Sequence, residues 1–393
     1  MELRQHRQGV GRQLAVIGGS ASGLFTASLL ARAGCSVEVL ERSERLDPVP
    51  RTLIVTNRMR ALLGEVGERS VVNEIRKFEL FTDGRSAQIP LARPDLIVER
   101  ARLIRGLAEE AERQGAKLSY GRRFVSLESD GNGLRVAVEQ VRHAQQEELR
   151  ADIVVGADGA LSRVAESAGW PRLPTVSLVQ AIVRVPPGLS SDTVRVWFVP
   201  DDTPYFYWLI PESPDRAALG LIGEDGQETL RCLERFLEKR ELTPIEFQGA
   251  RIPIYRRWTP VERRVGAGRV YLVGDAAGQV KVTTIGGIVT GFRGALGVSE
   301  AILQGGPSRE LRALRRELDL HLLIRRTIHQ FKQADYSRLV DLMNAPMHRS
   351  LSQYTRDDAA RVLWHLAVSQ PRLLLLGLRG LLSGGSILPK NRA

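Results

Sequence analysis

The chain has 393 residues, 43% hydrophobic and 26% charged, which excludes a disordered polypeptide and leaves room for two or three packed domains. A surplus of 56 Lys and Arg over 45 Asp and Glu gives a net charge of +11, which reads either as a solvated basic surface or as one that favours anionic partners: lipid headgroups, nucleic acid or phosphorylated substrates; with the motifs below, no nucleic-acid partner is expected. Two distant cysteines, Cys35 and Cys232, and six histidines without ligand spacing exclude a disulfide scaffold, a dithiol centre and a metal site, and fit a reducing cytoplasm.

The first residues, MELRQHRQGVGRQ, lack the apolar core of a signal peptide. Residues 13 to 18, QLAVIG, read as a buried strand, residues 22 to 33 as a helix, and SVEVLE as a second apolar strand, so the chain opens on a βαβ unit. Between the first strand and the helix lies GGSASG. In a dinucleotide cradle the first glycine makes the tight turn and the third lets the helix approach the strand, roles that fall to Gly18 and Gly23. The middle position is Ser20, a departure from GxGxxG that keeps a small hydrogen-bonding side chain, and Ser22 completes the turn. Glu41 ends the second strand where an acid accepts hydrogen bonds from a ribose diol and disfavours a 2′-phosphate. Arg42 reads either as a solvated charge or as a cover for adenine. A nucleotide such as NAD or FAD is therefore expected.

Residues 95 to 115, DLIVERARLIRGLAEEAERQG, show the spacing of one amphipathic helix, with Leu103, Leu107 and Ala111 on one stripe. A β-hairpin follows around Asp130-Gly131-Asn132-Gly133, and ADIVVGADG returns to a buried strand. Residues 171 to 264 alternate as strands, as in TVRVWFV, and predict an inserted antiparallel sheet. GRVYLVGDAAG restores the parallel-strand pattern. Residues from about 307 are helical and rich in Arg and Leu, and LLLLGLRGLL near the C-terminus is too short and too charged to span a bilayer.

The trio GGSASG, GADGALS (156 to 162) and GDAAG (274 to 278) resembles the FAD-binding signature of the flavoprotein superfamily that contains the aromatic hydroxylases, the flavin halogenases and the geranylgeranyl reductases. The resemblance runs from about Leu14 to Leu382. It implies an α/β fold: a discontinuous Rossmann-like FAD-binding domain (1–170 and 265–305), an inserted antiparallel β-sheet substrate domain (171–264) and a C-terminal helical region (306–393).

The same resemblance assigns roles residue by residue. Glu41 would hold the adenosine ribose, Arg100 the pyrophosphate, and the Val125 backbone the adenine. Asp158 and Gly159 would lie near the pyrophosphate and the nicotinamide channel, Asp275 would bind the ribityl hydroxyls, and Gly287 and Ile288 would face the flavin ring from a helix N-terminus. Each carries a physical warrant, since a carboxylate suits a polyol, a guanidinium a phosphate, and a helix N-terminus the charge of a reduced flavin. As structural residues, Asp158 and Asp275 read as helix caps.

YFYWLIP, residues 205 to 211, resembles the YxWxFP signature of geranylgeranyl reductases as Phe206-x-Trp208-x-Ile210-Pro211, and more distantly the WxWxIP of halogenases. GDAAGQVKVTTIGGI resembles the reductase pattern GDAAGxxxPxTGGGI, with Val282 for the proline and Ile285 for a glycine. The leading expectation is an FAD-dependent reductase of an isoprenoid or lipid-like alkene. An apolar wall of Trp197, Tyr205, Phe206, Tyr207 and Trp208 would receive the chain; Tyr205 or Tyr207 would donate the proton, and Tyr205, Tyr207 and Trp208 are the candidate catalytic residues. The alternative is a monooxygenase or halogenase of a small aromatic, for which Lys77 is the candidate oxidant carrier. No second dinucleotide unit is visible, so NAD(P)H bound transiently or another protein would reduce the flavin. A cytoplasmic protein with peripheral contact to anionic membrane is expected.

Overall fold

The computed structural model describes residues 11–343 and Asp357. LLLLGLRGLL lies outside the described residues.

The opening βαβ unit forms as the spacing predicts: strand Gln13–Ile17, helix Ala21–Arg32, strand Ser36–Glu41. These strands enter a six-stranded sheet ordered Glu262–Val265, Gly268–Leu272, Ile153–Gly156, Gln13–Ile17, Ser36–Glu41, Lys117–Tyr120, parallel except at its first pair. Alternation along Gln13–Ile17 explains the layering. Leu14 and Val16 point to a core shared with helices Ala21–Arg32, Arg100–Arg113 and Ile288–Gln304, whereas Ala15 and Ile17 pack with a three-stranded sheet that includes the expected hairpin. Both faces are thereby covered, as a parallel sheet requires.

Residues 95 to 99 are not helical. Leu96, Ile97 and Val98 are fully buried at the end of strand Arg85–Glu99, paired with Thr52–Val55. The helix begins at Arg100, where Glu99 caps it by accepting hydrogen bonds from the Ala101 and Arg102 amides at 2.9 and 2.8 Å. The apolar triplet extends the helical stripe by coincidence, but sheet pairing claims it.

The second sheet has eight strands, ordered Pro244–Pro253, Thr175–Arg184, Arg216–Gly223, Tyr207–Pro211, Thr193–Trp197, Val71–Thr82, Arg85–Glu99, Thr52–Val55. It therefore extends beyond the expected insertion: three of its strands come from residues 52–99, joined through a parallel pairing of Val194 with Phe78. One face packs on helix Gly226–Lys239, and the other on helix Arg309–Ile328 and the loop before Ile288.

Candidate functional site

Gly18 leaves the first strand at φ +105°, and a Cβ there would lie 2.6 Å from the Ala157 carbonyl oxygen. At Gly23 a Cβ would come within 2.3 Å of the Gly18 carbonyl oxygen, so the helix approaches the strand only without a side chain. The Ser20 hydroxyl caps this helix, accepting from the Gly23 amide at 3.2 Å. Ser22 packs against Gly274 and Gly291, linking the first glycine turn to the third.

The Glu41 carboxylate closes over this turn, taking the Gly19 amide at 2.7 Å and the Ser43 amide at 2.9 Å. Arg42 beside it is exposed. At the second signature, Asp158 accepts hydrogen bonds from the Ser162 hydroxyl at 2.5 Å and the Arg163 amide at 2.7 Å, and Gly159 turns left-handed at φ +87°. Burial raises the Asp158 pKa against the pull of these donors. A β-bulge between Phe124 and Ser126 leaves Val125 outside the strand ladder.

The third signature holds the site's strongest electrostatic feature. Asp275 is set deep in the protein, with only part of its surface accessible, and burial pushes its carboxyl up to about 6 despite the opposing pull of Arg51 and Arg100. Burial lowers the pKa of both arginines, and the Arg100 charge lowers that of Arg51 further. Arg100 donates to the Val49 carbonyl at 3.1 Å, while the Arg51 Nε is buried with no hydrogen-bond partner. Two desolvated guanidiniums at a glycine-lined cleft, one with an orphaned N–H, fit a pyrophosphate. Arg51 was not expected from the sequence. It belongs to no motif, and the pairing of Thr52–Val55 with the strand that leads to Arg100 brings it here.

Gly287 begins the helix Ile288–Gln304 without a side-chain cap, and a Cβ on it would lie 3.0 Å from Asp275 Oδ1. The helix N-terminus and Asp275 thus lie side by side, with uncapped amides suited to a ring that carries negative charge. The chemistry of these residues, an acid at the glycine turn, two guanidiniums and a buried acid beside an uncapped helix start, fits the ribose, pyrophosphate and ring portions of FAD.

The aromatic strand divides between two faces. Phe206, Trp208 and Ile210 share an apolar cluster with Tyr205 and with Val280, Val282 and Ile285 of the loop that leads to Gly287. Phe206 and Trp208 meet edge to face with ring centroids 6.2 Å apart, and the Trp208 Nε1 is buried with no partner. Arg325 stands over the Tyr205 ring at 3.8 Å.

Tyr207 and Trp197 point the other way, a correction to the expected wall. Strand alternation places both on the face toward helix Gly226–Lys239, where Tyr207 stacks on Phe236 at 4.1 Å and its hydroxyl donates to Asp202 Oδ2 at 2.7 Å. With its hydroxyl given to Asp202 on the face away from the Phe206–Trp208 cluster, Tyr207 is not placed to donate a proton there; burial and the Asp202 carboxylate also raise its pKa. Lys77 lies half-exposed, 3.9 Å from Asp192.

Comparison with known proteins agrees with this geometry. A family model described as FAD binding domain matches residues 12–303. Digeranylgeranylglycerophospholipid reductase 1 of Methanopyrus kandleri is 32% identical over 297 residues, 70% of this chain and 76% of that protein. Geranylgeranyl diphosphate reductase of Rhodobacter capsulatus is 28% identical over 320 residues, 76% and 78% of the two chains. Among solved structures, a geranylgeranyl bacteriochlorophyll reductase-like protein from Thermoplasma acidophilum superposes with a TM-score of 0.75 at 18% identity, covering 94% of this chain and 99% of that one, a likeness of fold. The chain belongs to the FAD-binding flavoprotein family alongside the geranylgeranyl reductases, and is an FAD-dependent oxidoreductase.

Proposed function

We propose that this enzyme reduces C=C bonds of an isoprenoid lipid. The observation that supports the reading is the shared apolar cluster of Phe206, Trp208 and Ile210 with Val280, Val282 and Ile285 of the loop before Gly287, a water-poor surface next to the helix start assigned here to the flavin. When bound and reduced, FAD supplies a hydride to the alkene. The chain's own residues do the rest. Arg51 and Arg100 bind the pyrophosphate, Glu41 the ribose, with Arg42 over the adenine and the Val125 backbone at its edge. Asp158, Gly159, Ser20 and Ser22 shape the turns around the phosphates, Asp275 holds the ribityl chain, and the Gly287 and Ile288 amides stabilise charge on the ring. Trp208 and Phe206 exclude water from the acceptor. Tyr205, whose phenol burial keeps protonated, holds the second hydrogen of the reduction.

In this reading the six-stranded sheet and its helices hold the cofactor, and the eight-stranded sheet with helix Arg309–Ile328 holds the acceptor. The names of the relatives support an isoprenoid over an aromatic substrate. NAD(P)H or a partner protein supplies the electrons. Among the described residues no helix is long and apolar enough to cross a membrane, and the net charge of +11 favours peripheral contact with an anionic surface, so binding to anionic vesicles at low salt is expected.

The direct test is anaerobic addition of a geranylgeranyl glycerolipid to the photoreduced holoenzyme. Reoxidation of the flavin without oxygen supports the reading. No reoxidation without oxygen, with turnover of an aromatic in its presence, replaces it with a monooxygenase.

A further inference from the structure

The loop between the Gly274 turn and helix Ile288–Gln304 contains a strained residue. Ile285 sits at φ +51°, where a β-branched side chain is rarely tolerated, and it is buried at 6% exposure. Such a conformation persists only if its surroundings impose it.

Helix Arg309–Ile328 supplies the restraint. The buried Lys281 ammonium lies 3.0 Å from Glu317 Oε1 and 2.5 Å from Asp357 Oδ1. The Thr283 hydroxyl hydrogen-bonds His321 Nδ1 at 2.8 Å, and within the loop the Lys281 amide donates to the Gly286 carbonyl at 3.1 Å. Glu317 and His321 are one turn apart on the same helix. The other Glu317 oxygen pairs with Arg293, buried in helix Ile288–Gln304. One carboxylate therefore holds both the loop and the helix whose first residues border the cofactor cleft.

We propose that Glu317, assisted by His321, is a positioning residue for FAD: it clamps the loop with Ile285 left-handed and so aims the Gly287–Ile288 amides at the flavin. The inference rests on the FAD assignment and is independent of which substrate is reduced. Replacing Glu317 by Gln leaves Lys281 with Asp357 and Arg293 with Glu310, so no buried cation loses its last carboxylate and the fold persists.

The test is titration of the full-length apoprotein with FAD, read by flavin fluorescence and by the absorption fine structure of the bound ring. Glu317→Gln is expected to weaken FAD roughly tenfold and blur that fine structure. The clamp's purpose predicts a coupling as well: in Glu317→Gln/Ile285→Gly the loop needs no forcing, and most of the lost affinity returns. Thr283→Val acts on the second contact and should show a smaller loss of the same kind, reversed in Thr283→Ser; this pair decides the matter if Glu317→Gln does not fold. Wild-type affinity and spectrum in Glu317→Gln overturn the proposal. So does a double variant as weak as Glu317→Gln alone, which would make the ion cluster structural only.

Discussion

The Glu41 carboxylate accepts a 2.7 Å hydrogen bond from the Gly19 amide, so the acid at the end of the second strand also shapes the glycine turn it faces. Its second oxygen takes the Ser43 amide, and both retain lone pairs for a diol. Glu41→Ala is therefore expected to weaken FAD about thirtyfold and to destabilise the apoprotein by about 1 kcal/mol, since the Gly19 amide loses its acceptor. Glu41→Gln keeps one acceptor oxygen and should lose less on both counts. Fluorescence titration and thermal denaturation of the apoprotein report the two effects separately.

Asp275, the proposed ligand of the ribityl chain, is a buried acid held at a cost to the fold. Its carboxyl, raised to about 6, keeps its proton in the folded apoprotein over a range where the unfolded chain has released it. Stability from this group is thus full below its unfolded value and declines as pH rises through about 6. Asp275→Asn removes that decline, so the apoprotein should gain about 1–3 kcal/mol at neutral pH while FAD binding falls. Equal stability of the two apoproteins at neutral pH would contradict the assignment.

On the aromatic strand, opposite outcomes are expected at adjacent positions. Tyr207→Phe loses the hydroxyl proton donated to Asp202 and shared with the Cys232 carbonyl, and should lower stability by about 1 kcal/mol with turnover intact. Trp208→Phe, on the other face, should raise KM for the lipid or lower kcat with a small change in Tm. Steady-state kinetics of the folded variants check both.

Acid should loosen the helix that bears Glu317. His321 and His329 are both pushed down to about 4, chiefly by burial, with Lys281 adding to the effect at His321 and Arg325 at His329. The folded state refuses protons that the unfolded chain accepts, so stability present at neutral pH is lost as pH falls from about 6.5 towards 4. His321→Gln should flatten this decline by about 1–3 kcal/mol, measured as urea midpoints across that range.

Local chemistry was legible in the sequence, and partnership across the fold was not. Gly18, Gly23 and Glu41 could be read because a turn, a helix and a strand end are fixed within thirty residues of chain. Arg51 was invisible, since only the pairing of Thr52–Val55 with the strand ending at Glu99 carries it to Asp275. The aromatic strand lay between these cases. Its alternation already separated Phe206, Trp208 and Ile210 from Tyr207 and Leu209, but which set faces the cofactor depends on where helix Gly226–Lys239 packs. At residues 95 to 99 the apolar stripe misled, because a buried strand end and a helix face place the same residue types together.

Hydride addition to an isoprenoid alkene changes the mass of the lipid, and mass spectrometry after anaerobic incubation with the reduced holoenzyme reads that change without an intermediate assay. A gain of two hydrogens for each bond reduced is expected, lost when Trp208 is replaced by Ala. Recovery of the lipid with unchanged mass from a fully reduced, FAD-loaded enzyme would contradict it.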